Sequence, residues 1–143
     1  MTGAQVDVGT YTATTAPTFR RAGGNIQGER SACQRYYWRN TNEGSVWLGS
    51  GFAVSSDIFD FWVQWPVTMR IPPACASSSG TGFFYAGVGS GSINGASISN
   101  FFNPNTAGSY CRLLRVTGTM TAGFGGIAQA SSASAYIEAS AEL

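Results

Sequence analysis

After the turn-rich residues 40–44, the chain breaks into short apolar runs, and this spacing constrains the fold more than any other feature. Gly, Ser and Asn separate the runs at intervals of about ten residues, a spacing typical of β-sandwiches and β-barrels. Prolines stand at the ends of runs, where a missing N–H disturbs a sheet least. We therefore predict an all-β fold, either a sandwich or a barrel.

Alternation within the runs predicts which side chains face the core. Trp47 and Trp62 fall on the outward side of their runs. The predicted strands are 46–54, 59–65, 67–71, 82–88, 92–102, 109–120, 126–130 and 134–143. The inward residues of the three clearest runs are Val46, Leu48, Phe52, Val54, Phe59, Phe61, Val63, Trp65, Ile137, Ala139, Ala141 and Leu143.

The N-terminal part of the chain has a different composition. Residues 1–30 are rich in Gly, Thr and Ala, with Tyr11 and Phe19 as isolated aromatic anchors. Such a composition favours an extended arm over an independent unit. We accordingly expect an extended N-terminal arm at 1–30 and a β-sandwich domain at 31–143.

One window of the sequence favours a helix. Residues 29–39 contain neither Gly nor Pro, and Tyr36 and Tyr37 follow Ala32 and Cys33 at a spacing of three to four residues. We predict one short helix here that lays an aromatic face on a sheet.

Charged residues make up only 10% of the chain, against roughly 25% in ordinary soluble domains. A surface with so few charges is poorly protected against association, so we expect an obligate oligomer. All eight basic residues are Arg, which is favoured over Lys at packed interfaces.

The net charge of the chain is +1 and there is no basic run, so we expect no nucleic-acid partner. No apolar stretch is long enough to predict a membrane span.

Few residues offer catalytic chemistry. The chain has no histidine, which removes Ser-His-Asp and Cys-His catalysis and the commonest metal ligand. Asp57 and Asp60 have two interpretations, a carboxylate pair for glycoside hydrolysis or calcium, or a solvated turn, and we favour the turn. The three cysteines lack metal-ligand spacing and are expected to be buried free thiols. We predict neither an enzyme nor a cofactor.

The outward aromatic residues also have two interpretations. They can stack on sugars, or they can pack in the core or between subunits, which we favour because indoles bury much apolar area. We assign Tyr36, Tyr37, Trp47 and Trp62 to the interface between copies.

Three segments resemble a recurrent module of bacteriophage structural proteins: CQRYYWR at 33–39, PVTMR at 66–70 and AYIEASAEL at 135–143. The resemblance covers roughly residues 29–143 and departs at 72–76, where the module continues as a β-branched strand. It implies an antiparallel jelly-roll-like β-sandwich, which carries one short N-terminal helix in this chain. It further implies a trimer on the virion surface and no catalytic residues.

Tail proteins with this module carry long N-terminal regions, whereas about thirty residues precede the matching part here. We therefore expect a capsid decoration (cement) protein on the outer capsid surface, made in the host cytoplasm. Its expected partners are itself and the major capsid protein. The arm would bind the shell through Tyr11, Phe19, Arg20, Arg21 and Arg30, with the arginines pairing with shell carboxylates. The alternative is the receptor-binding tip of a head or tail fibre, in which Trp47, Trp62 and the Gly/Ser loops hold glycans.

Overall fold

The computed structural model describes residues 24–40, 45–95 and 97–142. These residues contain a helix, α1 (Ile26–Gln34), followed by eleven strands. The strands are β1 (Tyr37–Arg39), β2 (Val46–Ala53), β3 (Ile58–Gln64), β4 (Ala74–Ser77), β5 (Phe84–Val88), β6 (Gly91–Gly95), β7 (Ile98–Phe102), β8 (Gly108–Leu114), β9 (Thr117–Thr119), β10 (Gly125–Ala130) and β11 (Ile137–Ser140).

The strands form two antiparallel sheets that make a jelly-roll-like sandwich, which confirms the predicted all-β class. The smaller sheet has the order β1-β11-β4, and the larger has the order β7-β8-β3-β2-β10-β5-β6-β9. At the boundary between the sheets, Trp38 of β1 packs against Trp65, with ring centroids 5.3 Å apart. The Trp65 indole Nε1 donates a hydrogen bond to the Asn105 carbonyl at 2.9 Å.

The large sheet curls strongly, so that its two ends approach each other. Only Arg115 and Val116 separate β8 from β9, although these strands lie near opposite ends of the strand order. Val116 N donates to the Asn94 carbonyl of β6 at 2.7 Å. Gly95 makes the approach possible, because a Cβ there would lie 2.8 Å from the Leu114 carbonyl oxygen.

The alternation of β3 and β11 confirms the predicted core-facing residues in those strands. Phe59, Phe61 and Val63 are buried on one side of β3, and Trp65 continues the series. On the last strand and just after it, Ile137, Ala139 and Ala141 are buried as predicted, whereas Leu143, the last residue of the predicted series, lies outside the described residues. Burial of these side chains is the dominant favourable contribution to folding.

In β2 the predicted inward face is wrong beyond Leu48. Phe52 and Val54 are exposed, whereas Ala53 is buried. The register against β10 jumps from Gly49 to Trp47, which leaves Leu48 as an extra residue in a β-bulge. A bulge reverses the phase of alternation, and the glycines that follow carry no side chains to reveal the new phase.

Other strand boundaries also differ from the prediction. Residues 67–71 form no strand, because prolines flank this segment. The backbone N–H groups of the segment also bind partners outside a strand ladder; Met69 N, for example, donates a hydrogen bond to the Thr106 carbonyl at 2.8 Å. The predicted runs 92–102 and 109–120 each split in two. Two strands of the small sheet, β1 and β4, were not predicted.

The predicted helix exists but is displaced towards the N-terminus. Asn25 caps α1, since its Oδ1 accepts a hydrogen bond from Gly28 N at 2.8 Å. Because α1 begins at Ile26, the end of the segment 1–30 predicted to be extended is helical. Tyr36 lies in the following turn and Tyr37 begins β1, so the predicted aromatic helix face is wrong. The chain divides after Cys33 into a unit with most of α1 and a unit with the described strands.

Candidate functional site

The strongest candidate site lies on the outward face of four adjacent strands, β7, β8, β3 and β2. Burial of Cys111 and Leu113 in β8 turns their neighbours outward, as burial of the core residues does in β3. We call this surface the β3–β8 face. It is formed by Phe52, Asp60, Trp62, Phe102, Tyr110 and Arg112.

An ion pair lies at the centre of the β3–β8 face. Asp60 and Arg112 are direct cross-strand neighbours, and Phe52 is the neighbour of Asp60 on the other side. Arg112 Nε donates to Asp60 Oδ1 at 2.7 Å, and Nη2 donates to Oδ2 at 2.6 Å. The Arg112 side chain is 31% exposed and that of Asp60 16%. This bidentate hydrogen bonding raises the pKa of Arg112 above its ordinary value.

Aromatic contacts hold the groups around this pair in place. The Trp62 and Tyr110 rings meet edge to face, with centroids 4.9 Å apart and planes at 68°. The Arg112 guanidinium lies 4.8 Å from the centre of the Phe102 ring. Both polar and aromatic groups of the face are therefore fixed by neighbours on the sheet.

These side chains surround a shallow depression of about 380 Å³. Its lining residues are Phe52, Asp60, Phe102, Tyr110 and Arg112. Phe52 and Tyr110 are each 49% exposed. The depression thus offers two accessible rings together with a carboxylate and a guanidinium, a combination suited to binding.

The residues predicted to form the interface between copies lie on different sheets. Trp47 is 66% exposed on β2, whereas Trp62 is half-buried on β3 and contacts the Tyr110 ring of β8. Tyr36 and Tyr37 are exposed beside the small sheet. The Tyr37 hydroxyl donates to Glu138 at 2.8 Å, and this hydrogen bond is the main cause of the raised pKa of Tyr37.

Of the predicted shell-binding arm, Tyr11, Phe19, Arg20 and Arg21 lie outside the described residues. Arg30 is described and is an exposed residue of α1.

Asp57 and Asp60, the candidate carboxylate pair, each bind an arginine. Asp57 precedes β3, as the turn interpretation predicts, and its Oδ1 lies 3.0 Å from Arg115 Nε. For Asp60 the turn interpretation is wrong, because this residue lies within β3, where it pairs with Arg112 of the neighbouring strand. Over 24–40, 45–95 and 97–142, no three potential metal-ligating side chains come together.

The cysteines are free thiols with different environments. Cys111 is buried as predicted, but Cys75 is half-buried and Cys33 is exposed, so the prediction of buried thiols is wrong for Cys33. Burial raises the pKa of Cys75 to about 11 and raises that of Cys111 further.

The sequence interpretation missed most of the lining of the depression, namely Phe52, Phe102, Tyr110 and Arg112. For β8 a signal existed. Residues 110, 112 and 114 alternate with buried Cys111 and Leu113, and this alternation puts Tyr110 and Arg112 outward. Phe52 had no such signal, because the bulge reversed its side.

Comparison with other proteins adds no relative: no family model, curated protein or solved structure matches the chain. Within the described residues, no helix is long and apolar enough to cross a membrane.

Proposed function

We propose that this chain is a structural protein of a bacteriophage virion, a capsid decoration (cement) protein that binds the outer capsid surface and stabilises the shell. The observation that supports an assembly role most directly is the large amount of apolar surface that the described fold exposes. The resemblance of residues 29–143 to phage structural modules supports a location of the protein in the virion.

Large apolar side chains remain accessible on both sheets. In an isolated soluble domain, exposed apolar residues are scattered among many charges, whereas here charges make up 10% of the chain. Covering such a surface with protein stabilises it by the hydrophobic effect. Outside the β3–β8 face, the described strand-bearing unit exposes Tyr36, Tyr37, Trp47, Val54, Leu114, Val116 and Phe124 at 41–66%.

Several of the charged groups contact partners within the chain. Besides the Asp60–Arg112 pair, the Arg39 guanidinium lies 3.5 Å from the centre of the Tyr136 ring, and that of Arg70 lies 5.6 Å from the centre of the Tyr36 ring. Arginine stacked on aromatic rings is enriched at protein interfaces, where it supplies contact area as well as charge. These stacked groups support an interface on the small sheet.

In the proposed assembly, three copies associate through Tyr36, Tyr37 and Trp47, whereas Trp62 contacts Tyr110 on the β3–β8 face. The arm residues Tyr11, Phe19, Arg20, Arg21 and Arg30 contact the shell, with the arginines pairing with shell carboxylates. Each arm adds a weak contact, and a trimer engages three at once. Multivalency then turns weak contacts into stable occupancy against the pressure of packaged DNA.

Copy number per particle tests the decoration role. Quantitative mass spectrometry of purified virions encoding this chain is expected to show hundreds of copies, in proportion to the major capsid protein. A dozen copies or fewer would place the protein on the tail and contradict a decoration role.

Removal of residues 1–30 tests the arm. The truncated protein is expected to keep the β circular dichroism signal and the oligomeric state of the full chain but to lose binding to capsids stripped of it. Arg20→Ala with Arg21→Ala, compared with Arg115→Ala as a matched control outside the arm, tests the charge pairing. Unchanged capsid occupancy after truncation would exclude the arm from the mechanism.

A further inference from the structure

We propose that the depression on the β3–β8 face is a saccharide-binding site that takes one pyranose ring of an uncharged glycan. This inference goes beyond the structural role and does not depend on it, since it concerns what the outer face of the sandwich holds. It rests on the size of the depression, on its central ion pair and on the two rings that flank the pair.

The volume of the depression suits a small ligand. At about 380 Å³, the depression falls in the lower part of the range of ~300–1,000 Å³ found for small-molecule sites. Its lining comes from four hydrogen-bonded neighbouring strands instead of from loops. Strands hold side chains in fixed positions, so little ordering is needed on binding.

The ion pair offers both hydrogen-bonding directions side by side. The pair uses Nε and Nη2 of Arg112, so Nη1 lies outside these two hydrogen bonds. A carboxylate has about four acceptor positions, and the pair occupies one on each oxygen of Asp60. One hydroxyl of a vicinal diol can donate to Asp60 while the next accepts from Arg112, so the ion pair stays intact.

The flanking rings complete the match to a sugar. Phe52 and Tyr110 both line the depression, and each is 49% exposed. A pyranose presents patches of C–H groups between its hydroxyls, and these patches pack against the faces of aromatic rings. The edge-to-face contact with Trp62, its cross-strand neighbour, holds the Tyr110 ring in position for this packing.

An uncharged sugar fits this surface better than a protein or an acidic ligand. An apolar protein surface that covered Asp60 and Arg112 would remove their water without replacing those hydrogen bonds, which is unfavourable for a charged pair. An acidic ligand would be repelled by Asp60, because Arg112 is already neutralised. Hydroxyl groups supply the missing hydrogen bonds and bring no charge.

The site is tested with the full-length protein on a glycan array, followed by saturation-transfer NMR with methyl glycosides of glucose, galactose, mannose and N-acetylglucosamine. Weak binding of uncharged glycans is expected. Tyr110→Ala and Arg112→Lys should each lower the affinity about tenfold or more, because the first removes a ring and the second removes the planar fork.

Phe124→Ala is the matched control, since Phe124 is a ring as exposed as Tyr110, at 49%, and lies outside the depression. It should change the affinity less than twofold, and thermal melts should show that all three variants are folded. Absence of binding to every uncharged glycan, or equal losses in Phe124→Ala and Tyr110→Ala, would overturn the proposal. So would a change of oligomeric state in Tyr110→Ala without sugar, because this face would then be a protein interface. Capsid occupancy, measured separately, tests the decoration role alone.

Discussion

Asp60 and Arg112 lie opposite each other in the register of β3 and β8, joined by two hydrogen bonds of 2.7 and 2.6 Å. Both side chains point outward because Phe59, Phe61, Cys111 and Leu113 occupy the buried side of the same strands. The core pattern therefore determines where the charge pair lies. The Asp60–Arg112 pair is partly shielded from water by neighbouring rings, so we expect it to make a measurable contribution to the free energy of unfolding.

A double-mutant cycle with Asp60→Asn and Arg112→Gln should measure this coupling. Cross-strand and partly exposed ion pairs contribute about 0.5–1 kcal/mol, and the exposure of Arg112 argues against a larger value. Each single variant should lower the free energy of unfolding by about 1 kcal/mol, and the double variant by less than the sum. Urea denaturation at one protein concentration provides the measurement, and strictly additive losses would show that the pair is energetically silent.

Tyr37 should make stability depend on alkaline pH. The hydrogen bond to Glu138 raises the pKa of Tyr37 in the folded state above its unfolded value, so the folded state favours the neutral phenol. The contribution is fully present below the unfolded pKa of roughly 10 and is lost as the pH rises through the folded pKa. The stability difference between the wild type and Tyr37→Phe should therefore shrink above about pH 10. Parallel pH profiles from pH 8 to 12 would contradict this.

The three thiols should react at different rates. Cys33 is exposed, whereas burial raises the pKa of Cys75 to about 11 and keeps Cys111 from reagents. Since the thiolate is the nucleophile, N-ethylmaleimide at neutral pH should label Cys33 first in the native protein. Peptide mass spectrometry identifies the site, and labelling in guanidinium chloride should give three adducts. A native protein that reacts first at Cys111 would show that the core opens readily.

Gly51 should tolerate no side chain. A Cβ at this position would overlap the Asp60 carbonyl oxygen and lie 2.6 Å from Phe61 Cα, both rigid parts of β3. Gly51→Ala should destabilise the protein by roughly 1–3 kcal/mol, the usual range for overpacking. Gly89→Ala is the control, because a Cβ there has no neighbour within 4 Å. Thermal melts that show equal stability for the two variants would mean that β2 and β3 can separate at no cost.

The sequence predicted elements well where apolar and polar residues alternate without interruption. In β3 the order Phe59, Asp60, Phe61, Trp62 assigns two faces to the strand, and the structure has both. The prediction from sequence was wrong where the local residue pattern favours one element but pairing with a distant strand imposes another. Residues 37–39 have no turn residue and were predicted to be helical, but β11 draws them into a sheet through Trp38 and Ala139.

The sequence by itself determined the all-β class, the buried faces of β3 and β11 and the scarcity of charge, because these depend on local alternation and composition. Only the tertiary structure decided that Phe52 faces outward, that Arg112 meets Asp60 and that Tyr110 and Phe102 join them around one depression. These relationships depend on a bulge and on the register between strands distant in sequence. Register is set by the packing of the whole core, which no single segment encodes.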